Sequence, residues 1–237
     1  MHKAISACMK ELASTSFYCN LLKEVEQAND TTDSNDTRIR QIICYGLGSF
    51  SHTSLSYFSA PLWQLACVLS LRSRLQQAGN AVDIHYFEPC STKFEEAVLE
   101  ELSVHVLTVN EKGKRHIQGV PTLFYMPHCP SLLYENVLWS NWDDVIGSTP
   151  LVLVGNSLRN YCDSLTTYDT SRPAMHRLLP WLSEQNLDWT KEDLEKAAGN
   201  FVGAFNDTYW TSVDVPAELT EWPDRPSEMV APDEEVL

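Results

Sequence analysis

Residues 39–50 read Ile-Arg-Gln-Ile-Ile-Cys-Tyr-Gly-Leu-Gly-Ser-Phe, an apolar run that ends on a Gly-x-Gly turn. A short aliphatic stretch closed by glycines is the pattern of a buried strand giving way to a loop. The same punctuation returns twice, at Tyr125-Met126-Pro127-His128-Cys129-Pro130 and at Gly155-Asn156-Ser157, each after its own apolar run. In an open α/β sheet the carboxyl ends of parallel strands line one crevice, and ligands bind there. The three clusters are therefore expected to face one pocket, with Ser49, His128 and Asn156 around it.

The stretches between these clusters fit that scheme. A helix from Pro61 to about Ala78 presents Leu62, Leu65, Ala66 and Leu69, and Gly79-Asn80 ends it. Strand patterns follow at 81–87, 104–109, 120–126 and 151–154. Ser91-Thr92-Lys93-Phe94-Glu95 has the form of a capped entry into a helix over 94–102, and a second helix spans 132–142. Strands alternating with helices predict an α/β class: a Rossmann-like, three-layer domain with a largely parallel sheet and right-handed crossovers. After Asp163 the pattern weakens, with a helix expected over 191–198 and a strand over 205–213.

Outside this region, residues 3–28 carry a helical pattern and 29–37 lack any apolar residue. The expected division is an N-terminal helix and polar linker (1–37), one α/β domain (38–213) and a disordered acidic tail (214–237) in which Pro216, Pro223, Pro226 and Pro232 sit among acids. Neither end offers much periodic apolar surface, so both are expected to be dispensable for folding.

A chain of 237 residues can bury a substantial core in one main domain. Its 32 acidic against 17 basic residues give a charge of −15, which repels nucleic-acid and anionic lipid phosphates. No stretch approaches the roughly 18 apolar residues of a membrane span. These features predict a soluble, intracellular protein without direct nucleic-acid or membrane binding. Seven scattered cysteines without a Cys-x-x-Cys pair argue against a disulfide framework and a zinc knuckle, and no metal site is expected.

The candidate chemistry lies at the strand ends. Gly46 and Gly48 would let backbone amides approach a ligand, although Ser51 stands where a dinucleotide fingerprint needs its third glycine. Glu88 ends the second strand, where Rossmann-like folds hold a ribose hydroxyl. Together they suit a nucleoside or S-adenosylmethionine, and equally a tight turn beside a solvated acid. The loop from Ser49 to Ser54, with His52, is dense in hydroxyls that bind a polar ligand or satisfy the turn. His128 and Cys129 read as a metal or heme ligand pair, a Cys-His dyad, or a structural histidine beside a buried thiol. Adjacent side chains on extended backbone point apart, which favours the structural reading. Cys129-Pro130 also matches the short Cys-Pro dipeptide of heme-regulated proteins. Asn156-Ser157 lacks the following glycine of a nucleophile elbow and suits ligand binding or helix capping. Asn206-Asp207 adds an amide and a carboxylate. Trp139, Trp142, Trp181 and Trp210 read as core or interface residues.

Taken in order, Tyr45-Gly46-Leu47-Gly48-Ser49-Phe50, Gln64-Leu65-Ala66, Tyr125-Met126-Pro127-His128-Cys129, Leu133-Tyr134-Glu135-Asn136, Asn141-Trp142, Gly155-Asn156-Ser157 and Phe205-Asn206-Asp207 resemble the SRR-like family, named for the plant protein "sensitivity to red light reduced". The similarity runs from about Arg38 to Asp207. It implies a cytoplasmic and nuclear regulatory protein with protein partners, in a family connected with circadian timing, light signalling and heme biosynthesis. It implies no catalytic residue. Three readings follow: a regulatory protein of this family with a nucleoside-type ligand or heme, a nucleotide- or S-adenosylmethionine-dependent transferase, and an interaction module with a vestigial pocket.

Overall fold

Alternate residues of each central strand enter two different cores, which makes the sheet the middle of three layers. In a computed structural model that describes residues 1–29, 38–51, 58–146, 149–164, 172–196, 199–214 and 224–227, the chain begins with α1 (His2–Leu12) and α2 (Ser16–Ala28). The series β1 (Gln41–Tyr45), α3 (Ala60–Gln77), β2 (Asp83–Phe87), α4 (Lys93–Glu101), β3 (His105–Val106), β4 (Thr122–Met126), α5 (Ser131–Ser140), α6 (Trp142–Ile146) and β5 (Leu151–Gly155) follows. The last part holds α7 (Leu158–Ser164), α8 (Pro173–Leu178), β6 (Leu182–Asn186), α9 (Lys191–Lys196), α10 (Phe201–Phe205) and β7 (Tyr209–Val213).

The seven strands form one sheet in the order β3-β2-β1-β4-β5-β7-β6. β1 to β5 pair with one another in parallel, and β7 runs antiparallel between β5 and β6. Ile42 and Cys44 pack with α1, α2, α3 and α10 on one face, whereas Ile43 and Tyr45 pack with α5, α6, α7 and α8 on the other. Burial on both faces explains why these strands read as continuous aliphatic runs.

Several elements differ from the sequence reading. The strand expected over 104–109 shortens to His105–Val106 at the sheet edge, with one further ladder bond from Leu107 N to the Tyr86 carbonyl. The strand expected over 205–213 begins only at Tyr209, and Phe205 instead ends α10, whose Phe201 and Phe205 turn toward α3 and α2. The N-terminal pattern splits into two helices where Thr15 accepts the Tyr18 N–H as an N-cap. Nor does that segment behave as an appendage. Ile5, Cys8, Leu12, Phe17, Leu21 and Val25 are core residues, and the Phe17 ring stacks on Phe205 at 4.1 Å. The expectation that it is dispensable gives way to this packing.

Residues 30–37, most of the first loop's hydroxyl run (His52, Thr53 and Ser54) and most of the acidic tail lie outside the described residues. Among the described residues, no helix is long and apolar enough to cross a membrane.

Candidate functional site

The parallel order of β1, β2, β4 and β5 brings their carboxyl ends to one edge, and the antiparallel β7 begins at that edge, where Tyr209 pairs with Gly155. The sequence candidates sit there in two hydrogen-bonded groups.

The first group surrounds the loop after β1. Gly46 and Gly48 have φ of +67° and +84°, a left-handed conformation that glycine adopts without strain. A Cβ on Gly48 would also lie 3.1 Å from Pro61 Cγ. The Gly48 N–H donates to Glu88 Oε2 at 2.8 Å, while Glu88 Oε1 accepts from Cys90 N at 2.9 Å. Glu95, fully buried at the start of α4, accepts on one oxygen from Ser49 Oγ (2.7 Å), Phe50 N (2.6 Å) and Ser51 N (2.8 Å). Its other oxygen closes the capping box with Thr92 N and Oγ1 at 2.8 and 2.9 Å. Burial alone would raise the Glu95 pKa, but the bonds from Thr92, Ser49 and Ser51 outweigh it and hold the carboxyl at about 2. Consecutive loop amides of this kind form a ready anion cradle. Here the chain's own carboxylates fill it.

The second group joins β4, β5 and the turn before β7. His128 has φ of +60° and Asp207 +53°, sparsely populated conformations for residues with a side chain. The His128 N–H donates to Asn156 Oδ1 at 2.6 Å, and the Asn156 amide donates to Asp207 Oδ2 at 3.0 Å. Asn160 reaches Asp207 Oδ1 at 3.4 Å. His128 Nε2 lies 3.3 Å from the Ala204 carbonyl, which also accepts from Gln64 Nε2 at 3.1 Å. That carbonyl is fixed by aromatic packing: Phe205 stacks on Phe17, and Phe201 meets Trp63 edge-on at 5.3 Å. Beneath Asn156, the buried Tyr134 hydroxyl accepts the Asn156 N–H at 2.9 Å and donates to the Met126 carbonyl. A Cβ on Gly155 would stand 2.2 Å from that hydroxyl, so the glycine is what lets Tyr134 reach the strand end.

Cys129 links the groups. Its buried thiol donates to the Tyr45 carbonyl at 3.3 Å, at the boundary between β1 and β4. Burial, then the nearby Glu88 charge, pushes this thiol's pKa up and keeps it protonated. His128 and Cys129 thus turn to different partners, the Ala204 and Tyr45 carbonyls, rather than to each other. Ser157 caps α7 by accepting the Asn160 N–H at 3.0 Å, and it donates to Glu184 Oε2 at 2.9 Å. Glu184 Oε1 also accepts from Leu158 N at 2.6 Å. Asn206 is exposed beside Asp207. Among the described residues, no group of three or more His, Cys, Asp or Glu side chains is placed to hold a metal ion.

Sequence reasoning missed Glu95, Tyr134, Asn160, Glu184 and the Ala204 carbonyl. The first had a signal, because Thr-x-x-Glu announced a buried capping glutamate whose second oxygen needed donors. Glu184 had none, because its strand reads as a polar stretch.

Comparison with known proteins follows the same residues. The model of the SRR1 domain matches residues 16–212. The SRR1-like protein of Mus musculus is 41% identical over 117 residues, covering 49% of this chain and 44% of the relative. The Arabidopsis thaliana Protein SENSITIVITY TO RED LIGHT REDUCED 1 is 28% identical over 209 residues, covering 85% of this chain and 70% of the relative. An SRR1-like protein of Drosophila melanogaster is 38% identical over 104 residues, 44% of this chain and 34% of the relative. The matched part thus spans less than half the length of the mouse and fly proteins. No solved structure matches the chain.

Proposed function

This chain belongs to the SRR1 domain family, and we propose that it is a non-catalytic regulatory protein that reads a phosphate-free, nucleoside-type ligand at the β1–β4 crevice. Its output lies in light or circadian signalling or in the control of heme synthesis, in the cytoplasm and nucleus, through protein partners. The name of the plant relative, SENSITIVITY TO RED LIGHT REDUCED 1, supports the light-signalling part. One observation carries the ligand class: Glu88 and Glu95 occupy the amides of Gly48, Phe50 and Ser51 that a phosphate would need. Two carboxylates there repel a ligand phosphate as well as displacing it. The glycines and the strand-end acid support a nucleoside-type reading, and so does the order β3-β2-β1-β4-β5, which is that of a doubly wound sheet. The exposed His128, Asn206 and Asp207 supply polar contacts beyond it.

The test is expression of this chain in an Arabidopsis line lacking the plant relative. The reading expects recovery of the red-light response, with Asn156→Ala failing to restore it at equal protein level. No recovery by the wild-type chain at normal abundance counts against the regulatory reading.

A second reading is favoured by the far edge of the sheet. Inserting one antiparallel strand between β5 and β6 matches, by fold-level analogy, S-adenosylmethionine-dependent transferases. Incubation with methyl-labelled S-adenosylmethionine and cell extract separates the two. Label transfer supports the transferase, whereas binding without transfer supports the regulator.

A further inference from the structure

Trp139 has no part in the strand-end groups, yet two contacts from the chain's C-terminal part meet on it. It projects from α5 on the face opposite α3, partly buried against the second core. Its indole Nε1–H donates to the Pro226 carbonyl at 2.8 Å. The Arg225 guanidinium stands over its ring, 5.2 Å from the centroid, and also pairs with Asp143 of α6. Arg177 of α8 binds the Asp224 carbonyl from the other side, and Pro226 is buried. Residues 224–227 are thus gripped by side chains of three helices, beyond the last residue of the family match at 212.

The chemistry of this grip is specific. An indole N–H donating to the carbonyl of a proline that packs nearby is how aromatic grooves recognise proline-containing peptides. An arginine shared between an aromatic face and a carboxylate adds charge selectivity, because lysine stacks less well and an acid would be repelled by Asp143. The segment belongs to the same chain as the groove, and a ligand joined in this way competes through its effective concentration rather than through intrinsic affinity. Asp224, Ser227 and the Asp143 carboxylate are exposed at its margins, so a free peptide of the same chemistry can displace it.

We propose that the α5–α6–α8 face is a docking groove for an Arg-Pro peptide of a partner protein. The chain's own Asp224-Arg225-Pro226 is its resident, displaceable occupant. In the full chain, Arg225→Ala together with Pro226→Ala empties the groove without touching its wall.

A fluorescein-labelled peptide of residues 221–230 is the probe, read by fluorescence polarisation. The double variant is expected to bind it at least tenfold more tightly than the wild type, in which the resident segment competes. Adding Trp139→Phe, which keeps the ring but removes the N–H, is expected to weaken binding at least tenfold. Asp143→Asn is expected to weaken binding less, and the loss should shrink as salt rises. Equal binding by wild type and double variant, no binding by the double variant at millimolar peptide, or insensitivity to Trp139→Phe in a folded protein each overturns the proposal.

Discussion

The two hydrogen-bonded groups at the carboxyl ends of the strands are held by opposite means. Around the loop after β1, carboxylates do the holding: Glu88 and Glu95 draw in five amides and the hydroxyls of Ser49 and Thr92. Around β4 and β5, neutral amides and a phenol hold the backbone, through Asn156 and Tyr134. The first arrangement spends on itself the groups that would have met an anion. The second leaves His128, Asn206 and Asp207 open to water. A glycine-rich turn at a strand end is therefore not by itself a phosphate site; what its amides already bind decides the ligand class.

The largest predicted effect breaks the second group from behind. Phe17→Ala removes the ring that stacks on Phe205 and supports the Ala204 carbonyl facing His128. A loss of about 3–5 kcal/mol is expected in urea melts. The His128 imidazole resonance should shift in the same variant, which a change confined to the N-terminal helices would not cause.

Next comes the first group. Glu95→Ala strands Ser49, Phe50 and Ser51 together with the Thr92 cap, and about 3 kcal/mol of stability should be lost. The pH dependence follows from the depressed pKa. A carboxyl near 2 when folded and about 4.3 when unfolded stabilises fully above the unfolded value, and that contribution drains away as pH falls toward 2. The stability difference between wild type and Glu95→Gln should accordingly be flat above pH 5 and shrink on acidification.

Gly48→Ala is expected to cost about 1–2 kcal/mol, since alanine resists a φ of +84° and its Cβ meets Pro61. Asn156→Ala should cost least, about 1 kcal/mol, by freeing the His128 N–H at an exposed edge. If Asn156→Ala proved the more damaging of the two, the neutral group would be the real anchor of the strand ends.

Which parts of this were legible in the sequence follows from burial. β1, β4 and β5 are covered on both faces, so their residues had to be aliphatic, and the runs were visible. β6 is the polar edge Leu182-Ser183-Glu184-Gln185-Asn186, and nothing in its composition separates it from a loop. The short α7, α8 and α10 offer too few turns for a period to show. At the site, Gly46, Gly48, Glu88, His128, Asn156 and Asp207 were legible as strand-end groups, but their partners were not. Whether Gly48 N meets a ligand or Glu88 depends on a side chain forty residues away, and only the fold brings the two together.

The account rests on those amides being closed to phosphate by the protein's own carboxylates. Calorimetric titration of the full chain at pH 7 with adenosine and with ATP tests this directly. Adenosine should bind at least tenfold more tightly than ATP. ATP binding as tightly as adenosine, or neither binding at millimolar concentration, would contradict it.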